Sequence, residues 1–576
     1  QLLGNDSLGG SAVTAGAGGN VSVILAGTAT LPTGIALDNT GRLSVAAAAA
    51  PGAVNFSYRL CETQRPDNCA SAEVRLTVPA PPIVAGPDTL TLAAGANADL
   101  LANDTPASAA SVSATASAAL PAGIELSAAG LLSVGPGLAP GSYEFGYGIC
   151  QKLAPSNCAS ATVKLSVLSL GTLSGRAVDA ATGVGIAGVS VKVGNISVLT
   201  DASGAFSHGA VAVQERISVQ FDSPNYAETT RIARVSASGS SDVQVRMLKV
   251  GVSASVDVAA GGTVNLAGST ARVSLPANGV QRADGSIPAG AMTVKLTAID
   301  PASDSSVMPG DFTTLVEERA LPIESFGAIN VRLSDAAGAA LNLRAGQSAT
   351  IRIPLASRSA SAPATIPLFY FDGAAGRWVQ QGTASLAGSG AARYFEGTVS
   401  HFSTWNADQV YDTVRVLGCL ADAAGTPIAG AQLHSDGVDY SGTSSAISGA
   451  DGKFILPIRK SGSATVVGLA GGLLTNTLRV GPGADDILLA DCLRLGQSGA
   501  GLTMKLTWGA RPDDLDSHLF APDGTELDFS NKGHLLSAPF ANLDVDDTTS
   551  YGPEVVTITK LMVGTYKYSV YNYSGH

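Results

Sequence analysis

Hydrophobic residues along this chain occur in short runs that glycine and proline interrupt. The 576 residues include 67 Gly and 28 Pro, and between them lie runs rich in Val, Leu, Ile and Thr, such as Val273–Leu275 and Val294–Ile299. Short runs of this composition, bounded by turn residues, are typical of β-strands. No long stretch repeats its apolar residues at the 3.6-residue spacing of a helix. The pattern therefore predicts an all-β protein.

Two stretches near the start of the chain repeat each other. Leu31–Val45 (LPTGIALDNTGRLSV) returns as Leu120–Val134 (LPAGIELSAAGLLSV), and Gln1–Ser7 matches Asp99–Thr105. Tandem modules that each close their own core build rods and stalks, so the repeat favours a structural role. A strand predicted near Asp88–Leu92 has no counterpart in the first copy. We therefore expect the first module to begin without its first strand and to offer an open edge to a strand of another subunit.

A chain of this length is too long for one hydrophobic core, and about four to six domains are expected. The repeated motifs, and the family resemblances described below, divide it into six predicted modules. Modules 1 to 6 are predicted to cover residues 1–80, 81–168, 169–248, 249–408, 409–496 and 497–576.

Modules 1 and 2 share an Asn-Asp pair near their start and a Tyr-x-x-Cys motif near their end. These are Asn5-Asp6, Asn103-Asp104, Tyr58–Cys61 and Tyr147–Cys150. On these motifs both modules resemble the immunoglobulin/cadherin-like repeats of large bacterial surface adhesins. Acidic residues at the junctions of cadherin-type repeats bind calcium, but this chain offers only Asp6, Asp88 and Asp104 there. A capped turn is the favoured interpretation of each Asn-Asp pair.

Modules 3 and 5 share a second set of motifs in the same order. Gly185–Val193 and Thr200–Phe206 in module 3 correspond to Pro427–Ala431 and Gly449–Phe454 in module 5. Both modules resemble the carboxypeptidase regulatory-like domain, a transthyretin-like sandwich without peptidase chemistry. The resemblance implies spacer modules, so the whole chain is predicted to be a tandem array of Ig-like and transthyretin-like β-sandwiches.

Module 4 carries an ordered series of motifs from Ser274–Val280 through Ile366–Asp372 to Ser400–Asn406. The series resembles the β-sandwich shared by cartilage intermediate layer proteins and the ankyrin/netrin-receptor group. Some members of that group cut themselves within a His-Phe-Ser tripeptide, which here is His401-Phe402-Ser403.

In such a cleavage the Ser403 hydroxyl would attack the Phe402 carbonyl, with His401 as the base. The alternative interpretation is a terminal strand with Phe402 in the core and His401 at the edge, and it is the favoured one. Apart from this candidate, the motifs of common hydrolases and of phosphate-binding loops are absent, so no enzymatic activity is predicted.

Module 6 resembles the YfaP-like domain of bacterial surface proteins, on Leu506–Leu519, Pro522–Gly524 and Tyr571–His576. That family continues for several strands beyond the last motif, so module 6 is expected to be incomplete at its C-terminal end.

Module 6 also contains most of the candidate metal ligands. Asp514 and Asp516 are two residues apart, as are Asp544 and Asp546, so each pair is expected on one face of its strand. The candidate ligands are Asp514, Asp516, Asp544, Asp546, Asp547 and Glu554, with His518 nearby. Grouped carboxylates repel one another unless a cation neutralises them, and oxygen ligands suit Ca²⁺. Zinc is disfavoured because no second histidine lies at ligand spacing, and separate turn and cap residues are the alternative.

The six cysteines fall into pairs by position. Cys61 and Cys69 bound one short loop, Cys150 and Cys158 bound its repeat, and Cys419 and Cys492 bracket module 5. We predict the disulfides Cys61–Cys69, Cys150–Cys158 and Cys419–Cys492; free buried thiols are the alternative, and metal ligation is disfavoured because no histidine or second pair lies near. Disulfides persist in an oxidising compartment, which predicts an exported protein.

Charge limits the partners that this chain can bind. Only 14% of residues are charged and the net charge is −12, without the basic clusters that nucleic-acid binding needs. No apolar run reaches the roughly eighteen residues of a membrane-spanning helix. The predicted function is a structural protein of the bacterial surface: a stalk, an adhesin, or a subunit that pairs strand edges into a homo-oligomer or filament. The alternatives are a metal-assisted binder of a host or matrix glycan or protein, and a self-cleaving protein.

Overall fold

The structure, a computed structural model, describes residues 1–28, 30–237, 240–471, 473–495, 502–509 and 511–575. Across these ranges the regular elements are 50 β-strands and four 3₁₀ turns, with no α-helix. No helix in the described ranges is long and apolar enough to cross a membrane. The all-β prediction is confirmed. The chain divides into two compact units, Gln1–Leu170 and Gly171–His576.

The first unit contains modules 1 and 2. Module 1 has the strands β1 (Ser7–Leu8), β2 (Ser11–Ala12), β3 (Val21–Leu25), β4 (Ile35–Leu37), β5 (Leu43–Val45), β6 (Gly52–Glu62) and β7 (Arg65–Val78), and a 3₁₀ turn at Leu3–Asn5. Module 2 has β8 (Asp88–Leu92), β9 (Asn97–Asp99), β10 (Val112–Ala116), β11 (Ile124–Leu126), β12 (Leu131–Val134), β13 (Gly141–Gln151) and β14 (Ala154–Val167), and a 3₁₀ turn at Leu100–Asn103.

The two repeats differ at one sheet edge. In module 2 the sheet order is β10-β13-β14-β8, with β8 added in parallel to β14, whereas module 1 has β3-β6-β7. The long hairpins β6–β7 and β13–β14 place Cys61 opposite Cys69 and Cys150 opposite Cys158, and each pair forms a disulfide. A third disulfide joins Cys419 to Cys492.

A glycine at the same place in both repeats explains part of the repeated motif. Gly41 and Gly130 have φ angles of 75° and 84°, a region that favours glycine. A Cβ atom on Gly41 would lie 2.6 Å from Leu3 Cγ, and one on Gly130 would lie 2.4 Å from Leu101 Cγ. Both leucines belong to the buried core of their module. The turn must therefore be glycine for the preceding 3₁₀ segment to pack beneath it.

The Asn-Asp pairs lie beside the tyrosines of the Tyr-x-x-Cys motifs. Tyr58 donates a hydrogen bond to Asp6 at 2.5 Å, and Tyr147 donates one to Asp104 at 3.0 Å. Asp104 also accepts the backbone N–H of Gly86 at 2.7 Å. Burial, together with Asp6, raises the pKa of Tyr58 to about 12. Each aspartate thus joins the start of its module to the strand that carries the first cysteine.

The second unit contains modules 3 to 6. Module 3 has β15 (Leu170–Asp179), β16 (Ser190–Val193), β17 (Ile196–Leu199), β18 (Ala205–Ala212), β19 (Gln214–Asp222), β20 (Thr229–Val235) and β21 (Ser240–Met247). They form two sheets, β18-β15-β21 and β17-β16-β19-β20, around a core that includes Val191, Phe206 and Phe221.

Module 4 is the largest segment. Its strands are β22 (Val252–Asp257), β23 (Gly262–Asn265), β24 (Arg272–Leu275), β25 (Val280–Gln281), β26 (Ala291–Ile299), β27 (Thr313–Val316), β28 (Arg319–Asp335), β29 (Ala340–Leu343), β30 (Ala349–Pro354), β31 (Thr365–Asp372), β32 (Arg377–Ala387), β33 (Tyr394–Val399) and β34 (Thr404–Val410), with 3₁₀ turns at Ser305–Val307 and Gly390–Ala392. The main path runs β22-β26-β28-β34-β31-β32-β33-β30-β24-β23 and encloses a core with Leu296, Phe395 and Trp405.

Modules 5 and 6 complete the unit. Module 5 has β35 (Thr413–Ala421), β36 (Gln432–Gly437), β37 (Thr443–Ile447), β38 (Lys453–Arg459), β39 (Ala464–Ala470), β40 (Leu473–Leu474), β41 (Leu478–Val480), β42 (Ile487–Leu488) and β43 (Leu493–Arg494). Module 6 has β44 (Leu502–Leu506), β45 (Leu515–Phe520), β46 (Glu526–Leu527), β47 (Gly533–His534), β48 (Ala541–Val545), β49 (Glu554–Ile558) and β50 (Lys567–Asn572). The sheets of module 6 are β44-β49-β48-β47 and β46-β45-β50.

Charged side chains join the modules of the second unit. Arg216 and Arg332 pair with Asp311 and Asp222, each across the boundary of modules 3 and 4. Asp436 of module 5 binds Arg358 of module 4 at 2.9 Å and also pairs with Lys505 of module 6. The Arg358 side chain is only 3% exposed. Removing one partner of a buried ion pair strongly destabilises a protein, because the other charge stays buried without a partner. These contacts therefore hold the modules in a defined arrangement.

Candidate metal centre

The acidic residues of module 6 gather at one end of its two sheets. Asp516 lies on β45 of the β46-β45-β50 sheet, and Asp514 directly precedes that strand. Glu554 begins β49 of the β44-β49-β48-β47 sheet, and Asp546 directly follows β48. Residues far apart in sequence therefore meet because β45 and β49, which belong to different sheets, pack against each other.

Three of these carboxylates approach one another closely. One oxygen each of Asp516, Asp546 and Glu554 lie within 4.8 Å of one another. Asp516 is 3% exposed and Glu554 is fully buried. Burial of like charges at this separation is unfavourable without a neutralising group.

Several oxygens at this place lack a partner. Among the described residues, one buried oxygen on each of Asp514, Asp516, Asp546 and Glu554 has no hydrogen bond: Oδ1, Oδ2, Oδ1 and Oε1 respectively. Buried polar atoms in folded proteins are almost always satisfied. The unpaired acceptors of Asp516, Asp546 and Glu554, with Asp514 beside them, could serve as ligands for a cation.

Two further oxygens of the cluster bind groups within the module. The second oxygen of Glu554 accepts the backbone N–H of Ser517. The second oxygen of Asp546 pairs with Lys532 Nζ at 3.1 Å. Lys532 is the one cation among the described residues that forms an ion pair with this group of four carboxylates, so negative charge is in excess.

The excess negative charge, together with burial, raises the pKa values of three of these carboxyl groups. Burial, with Asp546 and Asp516 nearby, raises the pKa of Glu554 to about 7. Burial and the neighbouring Asp514 and Asp546 also raise the pKa of Asp516. The pKa of Asp514 is raised by burial and by the same Asp546 carboxylate. A divalent cation would remove this repulsion.

The geometry and the ligand type fit Ca²⁺. Calcium takes oxygen ligands at about 2.3–2.6 Å, so two ligands on opposite sides of the ion lie about 5 Å apart. The three carboxylate oxygens lie within 4.8 Å of one another, which is consistent with that distance. The donor set contains only oxygen, which suits a hard cation rather than zinc.

Two of the predicted ligands face elsewhere. The ladder between β48 and β49 shifts register between Leu543 and Val545, so the expected alternation of Asp544 and Asp546 is interrupted. Asp544 accepts the backbone N–H of Thr477 in module 5 at 2.8 Å. Asp547 pairs with Arg479 of module 5 at 2.5 Å. The bulge is the physical reason that the two pairs of aspartates behave differently.

His518 belongs to a neighbouring group. Its Nδ1 lies 2.8 Å from Glu526, and together with Asp528 these side chains bring their ligand atoms within 4.8 Å of one another. Asp528 is already engaged, because it accepts the backbone N–H groups of Ser530 and Asn531. The sequence analysis did not find Glu526 or Asp528, although their place one strand after His518 was a usable signal.

The His401-Phe402-Ser403 tripeptide lies between β33 and β34. His401 Nε2 is 3.0 Å from Gln381 Oε1, and the Ser403 hydroxyl donates to the Thr404 carbonyl at 3.4 Å. Asn342 holds the Phe402 peptide unit: its Oδ1 accepts the Phe402 N–H at 2.7 Å, and its Nδ2 donates to the Phe402 carbonyl at 3.3 Å. Phe402 is part of the module 4 core, as the alternative interpretation expects, but the tripeptide forms the turn between two strands rather than a terminal strand. Cleavage between Phe402 and Ser403 stays a prediction.

Comparisons with known proteins give structural similarity only. No protein-family profile matches the chain, and no curated protein does. Among solved structures, similar chains include the TIE protein of Bacillus anthracis, with 10% identity over 67% of this chain and 68% of that chain and a TM-score of 0.14. BcpA, the major pilin subunit of Bacillus cereus, has 9% identity over 57% of this chain and 99% of that chain, with a TM-score of 0.13. N-cadherin EC1-3 of Drosophila has 8% identity over 39% of this chain and 89% of that chain, with a TM-score of 0.18. Scores this low do not place the chain in any of these families.

Proposed function

We propose that this chain is a structural part of an extracellular bacterial surface protein, serving as a stalk, an adhesin or a subunit of a filament. Three disulfides support an oxidising, extracellular location. The low charge and tandem sandwiches fit a mechanical role better than catalysis.

The observation that carries this proposal is the bonding between modules in the second unit. Asp436 alone bonds to three side chains in two other modules: Ser305 and Arg358 of module 4, and Lys505 of module 6. Module 3 is fastened to module 4 by the Arg216–Asp311 pair and by Ser218, which donates to the Gly373 carbonyl at 2.5 Å. A segment built this way resists bending between modules, which is what a stalk or filament subunit requires.

Electron microscopy of the full chain, with intact mass measured under denaturing conditions, tests this function. We expect the second unit to have the same outline in every particle, either as isolated molecules or within ordered fibres. Fibres would support a filament subunit, and isolated particles a stalk or adhesin. Modules that take variable positions relative to one another within the second unit would contradict the proposal. Two fragments with masses that correspond to cleavage after Phe402 would support self-cleavage instead.

The four unpaired carboxylate oxygens favour a second role, divalent-cation binding in module 6. Calcium would neutralise the cluster and stabilise the end of the sandwich. A bound cation with free coordination positions also binds hydroxyl and carboxylate groups. The ligands to test with the calcium-bound protein are therefore a host or matrix glycan and an acidic protein segment.

Calorimetric titration of the full chain with CaCl₂ tests this role. We expect binding in the native chain and in the control Asp513→Asn, whose carboxylate is exposed and paired with Arg511. The variants Asp516→Asn and Glu554→Gln should lose binding. Equal binding by all four proteins would exclude this cluster as the site.

A further inference from the structure

One short segment carries both the candidate cation site and part of the boundary with module 5. Asp546 supplies an oxygen to the carboxylate cluster, whereas Asp544 and Asp547 on either side of it bind module 5. The three residues lie at the end of β48, where the β-bulge ends the regular ladder with β49. Their positions are therefore linked through only a few backbone bonds.

The contacts with module 5 are well defined. Thr477, which is 5% exposed, donates its backbone N–H to Asp544. Arg479 on β41 reaches the Asp547 side chain, whose exposure is 0%. Asp547 also accepts the N–H of Thr549 at 2.8 Å, which holds the turn after the segment. These contacts between modules 5 and 6 thus depend on the backbone conformation of residues 544–547.

Repulsion among the carboxylates acts on the same segment when no cation is bound. Asp514, Asp516 and Glu554 are anchored on or next to β45 and β49, whereas Asp546 follows the irregular end of β48. Mutual repulsion of buried carboxylates displaces residues outside the regular strands more readily than residues within them, and Asp546 lies outside β48. That displacement would draw Asp544 and Asp547 away from their partners in module 5.

We propose that Ca²⁺ bound by Asp514, Asp516, Asp546 and Glu554 fastens module 6 to module 5 by holding the 544–547 segment in place. This inference rests on the cation-binding role proposed above. Two contacts of module 6 do not involve this segment: Lys505 pairs with Asp436, and the Thr507 hydroxyl donates to the Ser303 carbonyl. Module 6 therefore stays attached without the ion. The ion controls the second set of contacts, at Thr477 and Arg479.

Two backbone N–H groups report separately on the site and on the boundary. The N–H of Ser517 donates to Glu554 within the cluster, and the N–H of Thr477 donates to Asp544 across the boundary. Hydrogen–deuterium exchange of the full chain, read by mass spectrometry with residue-level fragmentation, would be compared in CaCl₂ and in EGTA. We expect calcium to slow exchange at both positions by about tenfold or more.

The outcomes separate this inference from the role on which it rests. Slower exchange at Ser517 and Thr477 supports it. Slower exchange at Ser517 alone leaves the cation site standing and overturns the coupling to module 5. No change at either position overturns both.

Variants make the test specific. Asp546→Asn should remove the calcium effect at Ser517 and at Thr477. Asp544→Asn should keep the effect at Ser517 and lose it at Thr477, because only the boundary acceptor is weakened. Asp513→Asn is the matched control and should behave as the native chain. A calcium response at Thr477 that survives Asp546→Asn would refute the proposed coupling.

Discussion

Asp408 lies on β34 beside the boundary of modules 4 and 5, and its replacement by asparagine is expected to change how stability depends on pH. The residue is fully buried, and in the described part of the chain neither carboxylate oxygen has a hydrogen-bond partner. Burial, followed by the nearby Glu324 carboxylate, raises the pKa of Asp408 well above its ordinary value. Glu324 itself pairs with Arg459 of module 5 at 2.9 Å. Burial therefore favours the neutral form of Asp408 in the folded protein.

The sign of the effect follows from proton linkage. In the unfolded chain this carboxyl ionises near its ordinary value of 3.8, whereas the folded chain keeps the proton to higher pH. Between those two values the folded state binds one more proton, so stability falls as pH rises, by about 1.4 kcal/mol per pH unit. Asparagine carries no such proton. The stability of Asp408→Asn relative to the native chain should therefore rise with pH above the unfolded value, by about 1.4 kcal/mol for each pH unit over which the folded carboxyl holds its proton.

Urea unfolding followed by tryptophan fluorescence measures this difference. Trp405 is fully buried on the same strand as Asp408 and reports on that region. The native chain and Asp408→Asn would be compared at several pH values between 5 and 8. The difference between the two midpoints, multiplied by the common slope, gives the change in free energy of unfolding.

Asp67→Asn is the matched control, because Asp67 is an exposed aspartate of module 1. Its pH profile should follow that of the native chain. Equal pH dependence in Asp408→Asn and the native chain would refute the reasoning, since it would mean that Asp408 does not hold its proton in the folded state.

Three further substitutions test other parts of the structure. Replacing Cys419 and Cys492 by serine opens a loop with a separation of 73 residues, and the free energy of unfolding of module 5 should fall by about 4.5 kcal/mol in denaturant titration. Gly130→Ala places a Cβ atom 2.4 Å from a buried leucine at a positive φ, and should lower the stability of module 2 by about 2–4 kcal/mol, measured by thermal unfolding. Asp436→Asn leaves Arg358 buried without its charged partner, and should destabilise the boundary of modules 4 and 5 by about 3–5 kcal/mol, measured as faster proteolysis there.

Each of these has a control within the chain. The Cys61–Cys69 loop has a separation of 8 residues, so its removal should cost less, about 2.6 kcal/mol. Gly137→Ala meets no atom within 4 Å and should be nearly neutral. Asp451→Asn breaks an exposed pair with Lys453 and should leave stability nearly unchanged. If a control changed stability as much as its test variant, the structural explanation of that variant would be wrong.

Much of the fold could be predicted from local patterns. Short apolar runs between glycines and prolines indicated strands because strand periodicity is a property of neighbouring residues. The repeat of Leu31–Val45 as Leu120–Val134 indicated two equivalent modules, and the structure gives both the same hairpin, glycine turn and Asp–Tyr pair. The pairing of Tyr58 with Asp6 was not predicted, since the two residues are far apart in sequence.

The candidate site was predicted only in part. Aspartates in module 6 were recognised because several occur within a short stretch, and Asp514, Asp516, Asp546 and Glu554 do come together. The bulge near Asp544 changes which side chains face the cluster, and it depends on the register between β48 and β49 rather than on spacing within one strand.

The amino-acid sequence by itself determined the strand content, the repeat, the local cysteine pairs and the supply of carboxylates, because each depends on residues close together in the chain. Tertiary structure decided which carboxylates share a site and which bind module 5, and it placed Asp436 between Arg358 and Lys505. The physical reason is that sheet register and contacts between modules are set by residues distant in sequence. Their energies depend on mutual burial, which exists only when the modules have packed.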